Sequence, residues 1–265
     1  MSMHPPARRL PCPALLPAPP TPAGRPSLRA LAGALLAVMA QSAAAQVFQD
    51  PTLQALFTGD RLAELATVSQ QRLATRPDDA QAVLGLAMAA LAGDDSAHRE
   101  AAIRRADTCI QQNPQAAECH YALGVVLGVQ ATSQGMLKMA SSVGTVKTAL
   151  LNALRLAPQW YPARSAVVEF YLQAPGVIGG SSTRAVEAAR GAARPDQARA
   201  LVARVALDED RFDAALAGLY AVQGGPQAVQ DPALTDDVQQ WIAAAWPLAC
   251  WPKARRPSPS RCLSD

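Results

Sequence analysis

The residues that could bind an anion lie together in one turn: Gly179, Gly180, Ser181, Ser182 and Arg184. The turn precedes a helix predicted from Thr183, and free N–H groups at a helix N-terminus attract anions. A tight glycine turn with a Ser or Thr N-cap explains the same residues without any ligand. The turn is not a phosphate loop, because the Gly-Lys-Ser/Thr ending and a preceding strand are missing. An anion site and a structural turn therefore remain as two interpretations.

Elsewhere the sequence offers no catalytic or metal-binding pattern. His120 is expected to pack between helices, and His98 lacks ligand spacing to a cysteine pair. No serine stands in a nucleophile-elbow spacing. Four carboxylates are predicted to be solvated at helix ends and not to form an acid–base pair: Glu187, Asp208, Glu209 and Asp210. We therefore predict no enzyme activity, no metal and no cofactor.

The cysteines favour an oxidising compartment. Four of the five follow the first 45 residues, and an even number invites pairing. Cys109 and Cys119 fall on successive predicted helices, on either side of Pro114, so they form either a disulfide or two buried thiols. A second bridge, between Cys250 and Cys262, could close the tail.

The first 45 residues read as a secretory signal. They begin with a part that has four basic residues and no acidic ones: Arg8, Arg9, Arg25 and Arg29. An apolar run from Ala30 to Ala40 follows, and small residues then lead up to Ala45, which is the order of parts in a signal peptide. The run is shorter than the roughly 20 residues that span a bilayer. We predict cleavage after Ala45 and a periplasmic or secreted protein, with an uncleaved anchor as the alternative.

The charge balance does not indicate a nucleic-acid binder. The chain has 24 Lys and Arg against 21 Asp and Glu, but all four basic residues of the signal would be removed with it. The last segment, Lys253 to Asp265, holds four more basic residues and one acidic one. The body between the two ends is mildly acidic and has no basic stripe.

Apolar residues at helical spacing, closed by a proline, recur along the chain. The closing steps are Arg76-Pro77, Asn113-Pro114 and Ala157-Pro158. The first predicted helix covers 46–58 and ends at Gly59. The second is capped by Asp60 and runs to Thr75, and two more cover 80–92 and 100–112. A pair of such helices cannot bury its apolar face alone, so the pairs must stack on one another.

This pattern resembles the tetratricopeptide repeat. Counted from Ala117, the family's Leu-Gly pair falls on Leu123-Gly124, and its closing proline on Pro158. Leu127 falls on the family's large residue near the centre of the first helix, and Ala153 falls on the small position five residues before the closing proline. A unit from Ala80 places Leu86-Ala87 at the Leu-Gly pair, and residues 210–216 resemble the start of a second helix. The resemblance implies an all-α fold, a right-handed superhelical array of antiparallel helix pairs.

The units depart from the family in length. From Ala80 to Ala117 is 37 residues and from Ala117 to Tyr161 is 44, which places an insertion around 130–143. We predict four to five degenerate repeats over about 60–222 in a domain of residues 46–246. A final helix over 233–246, stopped by Pro247, would cap the array, and the tail over 247–265 is predicted to be disordered.

The resemblance also implies a concave groove lined by the first helix of each repeat, and this groove is the natural surface for a protein or peptide partner. The residues expected there are Leu84, Met88, Glu118, Tyr121, Val125, Glu169 and Arg204. The basic and amide residues with which some members clamp a terminal carboxylate are absent, so the groove should be more apolar. The alternative is that some of these residues are packed under neighbouring helices.

A second resemblance concerns the phrase Phe-Tyr-Leu-Gln-Ala-Pro-Gly-Val-Ile-Gly-Gly-Ser at 170–181. It is similar to a phrase in poorly characterised exported bacterial proteins of this repeat type, and it implies no activity. The leading hypothesis is an exported binding scaffold. Two alternatives remain: a small-molecule or anion binder or enzyme accessory that uses Tyr171 to Ser182, and an envelope component that associates through its Ala-rich ends.

Overall fold

The computed structural model describes residues 46–93, 95–224 and 232–250, without the side chains of 136–138, 232–233 and 246–250. Eleven α-helices and one short 3₁₀ helix, Gly176–Ile178, occur in these residues, and no strand does. The α-helices are α1 Pro51–Thr58, α2 Leu62–Thr75, α3 Ala80–Leu91, α4 Ser96–Gln112, α5 Ala117–Ser133, α6 Met136–Leu156, α7 Tyr161–Gln173, α8 Ser182–Arg190, α9 Pro195–Asp208, α10 Phe212–Gln223 and α11 Pro232–Cys250.

The helices form five successive pairs, α1–α2 to α9–α10, and α11 follows the last pair in the described chain. We call the odd-numbered helices the first helices. Within each pair the two helices pack together, and first helices also stack: α1 on α3, α3 on α5, α7 on α9 and α9 on α11. The predicted all-α fold, an α-solenoid of helix pairs, is confirmed. The stack of first helices is looser between α5 and α7, which do not pack closely.

Several helix boundaries follow from local chemistry. The side chains of Asp79 and Asp95 cap α3 and α4 by accepting from Ala82 N at 3.1 Å and Ala97 N at 2.8 Å. Helix α3 begins at Ala80, as the repeat register predicts. The steps before α3, α5 and α7 are turns that each contain a proline.

Other predicted boundaries are wrong. Helix α1 begins at Pro51 and not at 46, because Asp50 caps it and residues 46–50 are extended or bent. Asp60 does not cap α2, since it occupies the turn with φ of 54° and its side chain makes no cap bond. Helix α4 begins at Ser96, four residues before the predicted Glu100, because Asp95 provides the cap.

The residues of the long unit extend its helices and do not form a separate insertion. Helix α5 has 17 residues and α6 has 21, and only Gln134 and Gly135 lie between them. At the other end, α11 continues to Cys250, so Pro247 does not stop it. A proline removes one backbone donor and bends or weakens a helix without forbidding the residues beyond it.

Close approach of helices holds the central unit together. A Cβ built on Gly124 of α5 would lie 2.6 Å from Leu150 Cδ2 of α6, so only glycine fits there. A disulfide joins Cys109 of α4 to Cys119 of α5 across the proline turn, with a Cα–Cα distance of 6.0 Å. The other proposed bridge, Cys250–Cys262, lies outside the described side chains.

Candidate functional site

The start of the described chain covers one end of the face that the first helices form. This segment, residues 46–50, is called the strap. The N–H groups of Gln49 and Asp50 donate to Gln81 Oε1 in the first turn of α3, at 2.9 and 3.3 Å. Trp160, just before α7, donates through Nε1 to the Gln46 carbonyl at 2.9 Å. The strap therefore runs across the beginnings of α3 and α7.

Apolar and ionic contacts hold the strap in place. Phe48 is fully buried and packs edge-on against Phe57 of α1, with ring centroids 5.6 Å apart. Asp50 accepts from Leu53 N at 3.1 Å and from Arg72 Nη1 at 2.5 Å. Burial acts to raise the pKa of Asp50, but the hydrogen bonds from Arg72 and Leu53 outweigh it and hold the pKa below its usual value.

The strap changes the interpretation of the predicted groove. Leu84 and Met88 of α3 are 0% and 7% exposed and belong to the same buried cluster as Phe48. For these two residues the structure favours the alternative, that they are packed among neighbouring helices, because burial of long apolar side chains is favourable. Glu118 accepts from Gln81 Nε2 at 2.9 Å, so it supports the residue that holds the strap.

Tyr121 is also part of the packed end of the face. Its ring lies against Trp160, with centroids 4.8 Å apart. Burial raises the pKa of the Tyr121 hydroxyl, and the negative charge of Asp237 adds to the effect. Asp237, on α11, accepts from the Tyr161 hydroxyl at 2.6 Å. The beginnings of α5, α7 and the last helix are thus joined by aromatic residues.

An apolar pocket of about 240 Å³ opens further along the first helices, where α5 and α7 separate. Its lining is Gly124, Val125, Gly128, Val129, Ala131 and Thr132 of α5, Met139, Val143, Val146 and Leu150 of α6, and Ala166, Glu169, Phe170, Gln173, Ala174 and Ile178 of α7 and the turn after it. Val129 is 44% exposed, so the pocket is open to solvent. Val177, next to the pocket residue Ile178, is 94% exposed and extends the apolar surface.

Small residues create this pocket. A Cβ built on Gly128 would meet only Val146 Cγ1, at 3.7 Å, so the helices leave space beside this residue. One turn earlier, at Gly124, no such space exists. The two glycines, four residues apart on one helix face, thus have different roles: Gly124 permits contact between α5 and α6, and Gly128 leaves the cavity open.

A polar groove of about 590 Å³, here called the acidic groove, continues from the pocket. Its lining is Glu169, Gln173, Arg204, Leu207, Asp208, Asp210, Phe212, Asp237, Gln240, Trp241 and Ala244. Arg204 Nε lies 2.7 Å from Glu169 Oε1, and its Nη1 lies 3.6 Å from Asp208 Oδ1. Val125, Glu169 and Arg204 are therefore the predicted groove residues that the structure places in open cavities.

The glycine turn before α8 is explained by its own backbone. The N–H groups of Gly179, Gly180 and Ser181 donate to carbonyl oxygens of α7 and the turn, at 3.2, 3.2 and 2.8 Å. Ser181 Oγ accepts from Arg184 N at 3.3 Å and caps the helix. Gly179 has φ of 112°, and a Cβ on Gly180 would lie 1.6 Å from the Ala174 carbonyl oxygen. These bonds use amides that an anion would need, and they favour the structural turn over the anion hypothesis.

His120 and Arg164 have structural partners. His120 Nε2 lies 3.0 Å from the Pro114 carbonyl oxygen, in the turn between α4 and α5. Arg164 donates to the carbonyl oxygens of Ala188 at 2.8 Å and Pro158 at 3.0 Å, and burial lowers its pKa. Arg164 therefore ties α7 to the end of α8.

Sequence reasoning missed the residues that define both ends of the face. The missed residues are Phe48, Gln81 and Trp160, which hold the strap, and Gly128, which leaves the pocket open. Gln173, which lines both cavities, lies within the region from Tyr171 to Ser182 that the alternative binding hypothesis names. No local pattern signals the strap contact, because Trp160 and Gln46 are 114 residues apart. The predicted signal segment and the tail beyond Cys250 lie outside the described residues.

Within the described residues, no helix is long and apolar enough to span a bilayer. The same residues contain no group of three or more His, Cys, Asp or Glu side chains arranged to hold a metal ion.

Comparison with known proteins identifies a solved structure with a similar fold. No protein-family model matches the chain, and no curated protein matches it. Among solved structures it is similar to the crystal structure of a thermophilic TPR protein of Thermus thermophilus. The two chains are 16% identical, the match covers 74% of this chain and 95% of the other, and the TM-score is 0.58.

This likeness confirms the tetratricopeptide-like fold that the repeat register predicts. At this identity it concerns the fold alone. The resemblance of the phrase at 170–181 to exported repeat proteins remains a prediction.

Proposed function

We propose that this protein is an exported, non-catalytic helical-repeat scaffold that binds a protein or peptide segment. The observation that carries the proposal is the solvent-open apolar pocket between α5, α6 and α7. Apolar cavities that open beside exposed apolar residues are typical binding sites, since burying that surface in a complex is favourable.

The strap supports a binding site at the pocket end of the first-helix face. Helices α3, α5 and α7 begin under residues 46–50 or beside the side chains that hold them. A partner therefore finds open surface at the other end of these helices, where Val129 and Val177 are exposed. The same end carries acidic side chains, which disfavour nucleic acid.

Site-specific photo-crosslinking in the native envelope tests this function. A photoreactive amino acid replaces Thr132, which is exposed on the rim of the pocket, and in a control protein it replaces Glu100, which is exposed on α4. We expect a discrete adduct from the first position and none from the second. The adduct should disappear when Gly128→Leu fills the pocket, while Gly128→Ala should leave it unchanged.

Adducts of equal yield from both positions, or an adduct that survives Gly128→Leu in a folded protein, would contradict a pocket-directed partner. Circular dichroism and thermal unfolding of each variant establish that the fold is retained.

Export is tested separately. We expect the protein in the periplasmic or secreted fraction with a mature N-terminus at Gln46, read by mass spectrometry of the intact chain. A cytoplasmic protein that keeps residues 1–45 would refute the exported part of the proposal and leave the binding part intact.

A further inference from the structure

The apolar pocket and the acidic groove share a wall. Glu169 and Gln173, on successive turns of α7, line both cavities. Gln173 Nε2 donates to Glu169 Oε2 at 3.1 Å, so the two side chains form one polar edge. A ligand that fills the pocket and extends beyond this edge would therefore continue directly over the acidic groove.

The groove carries an excess of negative charge. Its lining holds four carboxylates and one guanidinium: Glu169, Asp208, Asp210, Asp237 and Arg204. The guanidinium of Arg204 already bonds both oxygens of Glu169, through Nε at 2.7 Å and Nη2 at 3.0 Å. With Glu169 and Arg204 paired to each other, Asp208 and Asp210 still give the lining an excess of negative charge that favours cations.

Backbone dipoles add to this potential. Helix α7 ends at Gln173 and α9 ends at Asp208, and both residues line the groove. The C-terminal end of a helix carries a partial negative charge, so an aspartate there adds to the negative potential of the groove. Arg204 offsets part of that potential, at 3.6 Å from Asp208.

We propose that the occupant is a polypeptide segment with a bulky apolar side chain next to lysine or arginine residues. The apolar side chain enters the pocket, and the cationic side chains lie over the acidic groove. This inference rests on the proposed binding function and names the chemistry of its partner. Anionic lipids and free fatty acids would meet charges of their own sign at the mouth of the pocket.

Selection from a phage-displayed random peptide library tests the proposal. The full chain is the bait, and Gly128→Leu is the bait for counter-selection, with Thr132→Trp as a second variant that blocks the rim. We expect enriched peptides to combine leucine, isoleucine, phenylalanine or methionine with a neighbouring lysine or arginine. Their binding to the parent should weaken as the salt concentration rises from about 50 mM to about 500 mM.

Charge variants of the groove give the second measurement. By fluorescence polarisation with one enriched peptide, Asp208→Asn with Asp210→Asn should raise Kd about threefold to tenfold. The control, Asp78→Asn with Glu100→Gln, removes the same charge from exposed positions elsewhere and should leave Kd unchanged.

The outcomes separate the two proposals. Pocket-dependent peptides without basic residues, or with acidic ones, would overturn the cationic partner and leave the binding function in place. An equal loss of affinity in the groove and control variants would also overturn it, since the effect would then be net charge alone. A library that yields no pocket-dependent peptide would count against both.

Discussion

Glu169 of α7 and Arg204 of α9 form an ion pair that joins the first helices of two successive repeats, with Arg204 Nε 2.7 Å from Glu169 Oε1. The pair is bidentate, and both side chains are mostly shielded from solvent. It lies where the apolar pocket meets the acidic groove, so it fixes the position of the edge that both cavities share.

A double-mutant cycle on this pair should show coupling. Glu169→Gln and Arg204→Gln should each lower the free energy of unfolding by about 1.5–3 kcal/mol, because each removes a bidentate, charge-assisted pair that is mostly shielded from solvent. The double variant should lose less than the sum of the two. Urea unfolding measures all four proteins, and additive losses would show that the pair contributes nothing as a pair.

The two glycines of α5 should respond differently to alanine. Gly124→Ala should cost about 1–3 kcal/mol, because its Cβ would press on Leu150 at 2.6 Å. Gly128→Ala should be neutral or stabilise by up to about 1 kcal/mol, since the Cβ meets only ordinary contact and alanine favours a helix. Thermal unfolding of the matched pair checks this, and equal melting temperatures would be evidence against the described contact between α5 and α6.

The glycine turn before α8 should not tolerate a side chain at Gly180, because the backbone of the turn leaves no space for one. Gly180→Ala should destabilise by about 1–3 kcal/mol, because the new Cβ would overlap the Ala174 carbonyl oxygen. Gly176→Ala, in the same turn, meets nothing within 4 Å and should change stability by less than about 0.5 kcal/mol. Chemical unfolding separates the two. A Gly180→Ala protein as stable as the parent would contradict the close contact with the Ala174 carbonyl oxygen.

Acid should loosen the strap through Asp50. Its folded-state pKa is lower than its unfolded value, so the carboxylate stabilises the fold above about pH 4 and this contribution is lost as the pH falls further. Asp50→Asn keeps an N-cap and removes the ion pair with Arg72, so it should cost about 1 kcal/mol at neutral pH.

The difference between the parent and Asp50→Asn in unfolding free energy should shrink as the pH falls from 6 to about 3. Carboxylates that do not contact Arg72 have the same surroundings in both proteins, so their contributions cancel from the comparison. A difference that stays constant over this range would assign the effect to the cap alone.

The disulfide between Cys109 and Cys119 should stabilise the turn between α4 and α5. The cysteines are 10 residues apart, and closing a loop of this size contributes about 2–3 kcal/mol. Unfolding of the parent should therefore occur at lower denaturant concentration after addition of dithiothreitol. Cys109→Ala with Cys119→Ala should show no such response, and rapid alkylation of these thiols in the untreated protein would speak against the bond.

Repeat register could be predicted from the sequence because it depends on local chemistry. Alanine-rich apolar periodicity, aspartate caps and proline turns act within a few residues, and they place the start of α3 at Ala80 and of α5 at Ala117. The Leu-Gly pair at 123–124 likewise predicts a close helix contact, because only a residue without a side chain permits that approach.

The sites depended on contacts between distant parts of the chain. Trp160 bonds the Gln46 carbonyl across 114 residues, and Tyr161 bonds Asp237 across 76. Packing between such distant segments decides that Leu84 is buried in the same cluster as Phe48 while Val129 is exposed. Residue type alone cannot distinguish these two apolar side chains, since each is compatible with a core or a groove.

The amino-acid sequence by itself determined that helices form, pair and stack, because helix formation and pairing depend on neighbours along the chain. Tertiary structure alone decided which part of the first-helix face the chain covers and which part stays open. The spacing between α5 and α7 results from the packing of side chains from several helices at once, and no local pattern encodes it.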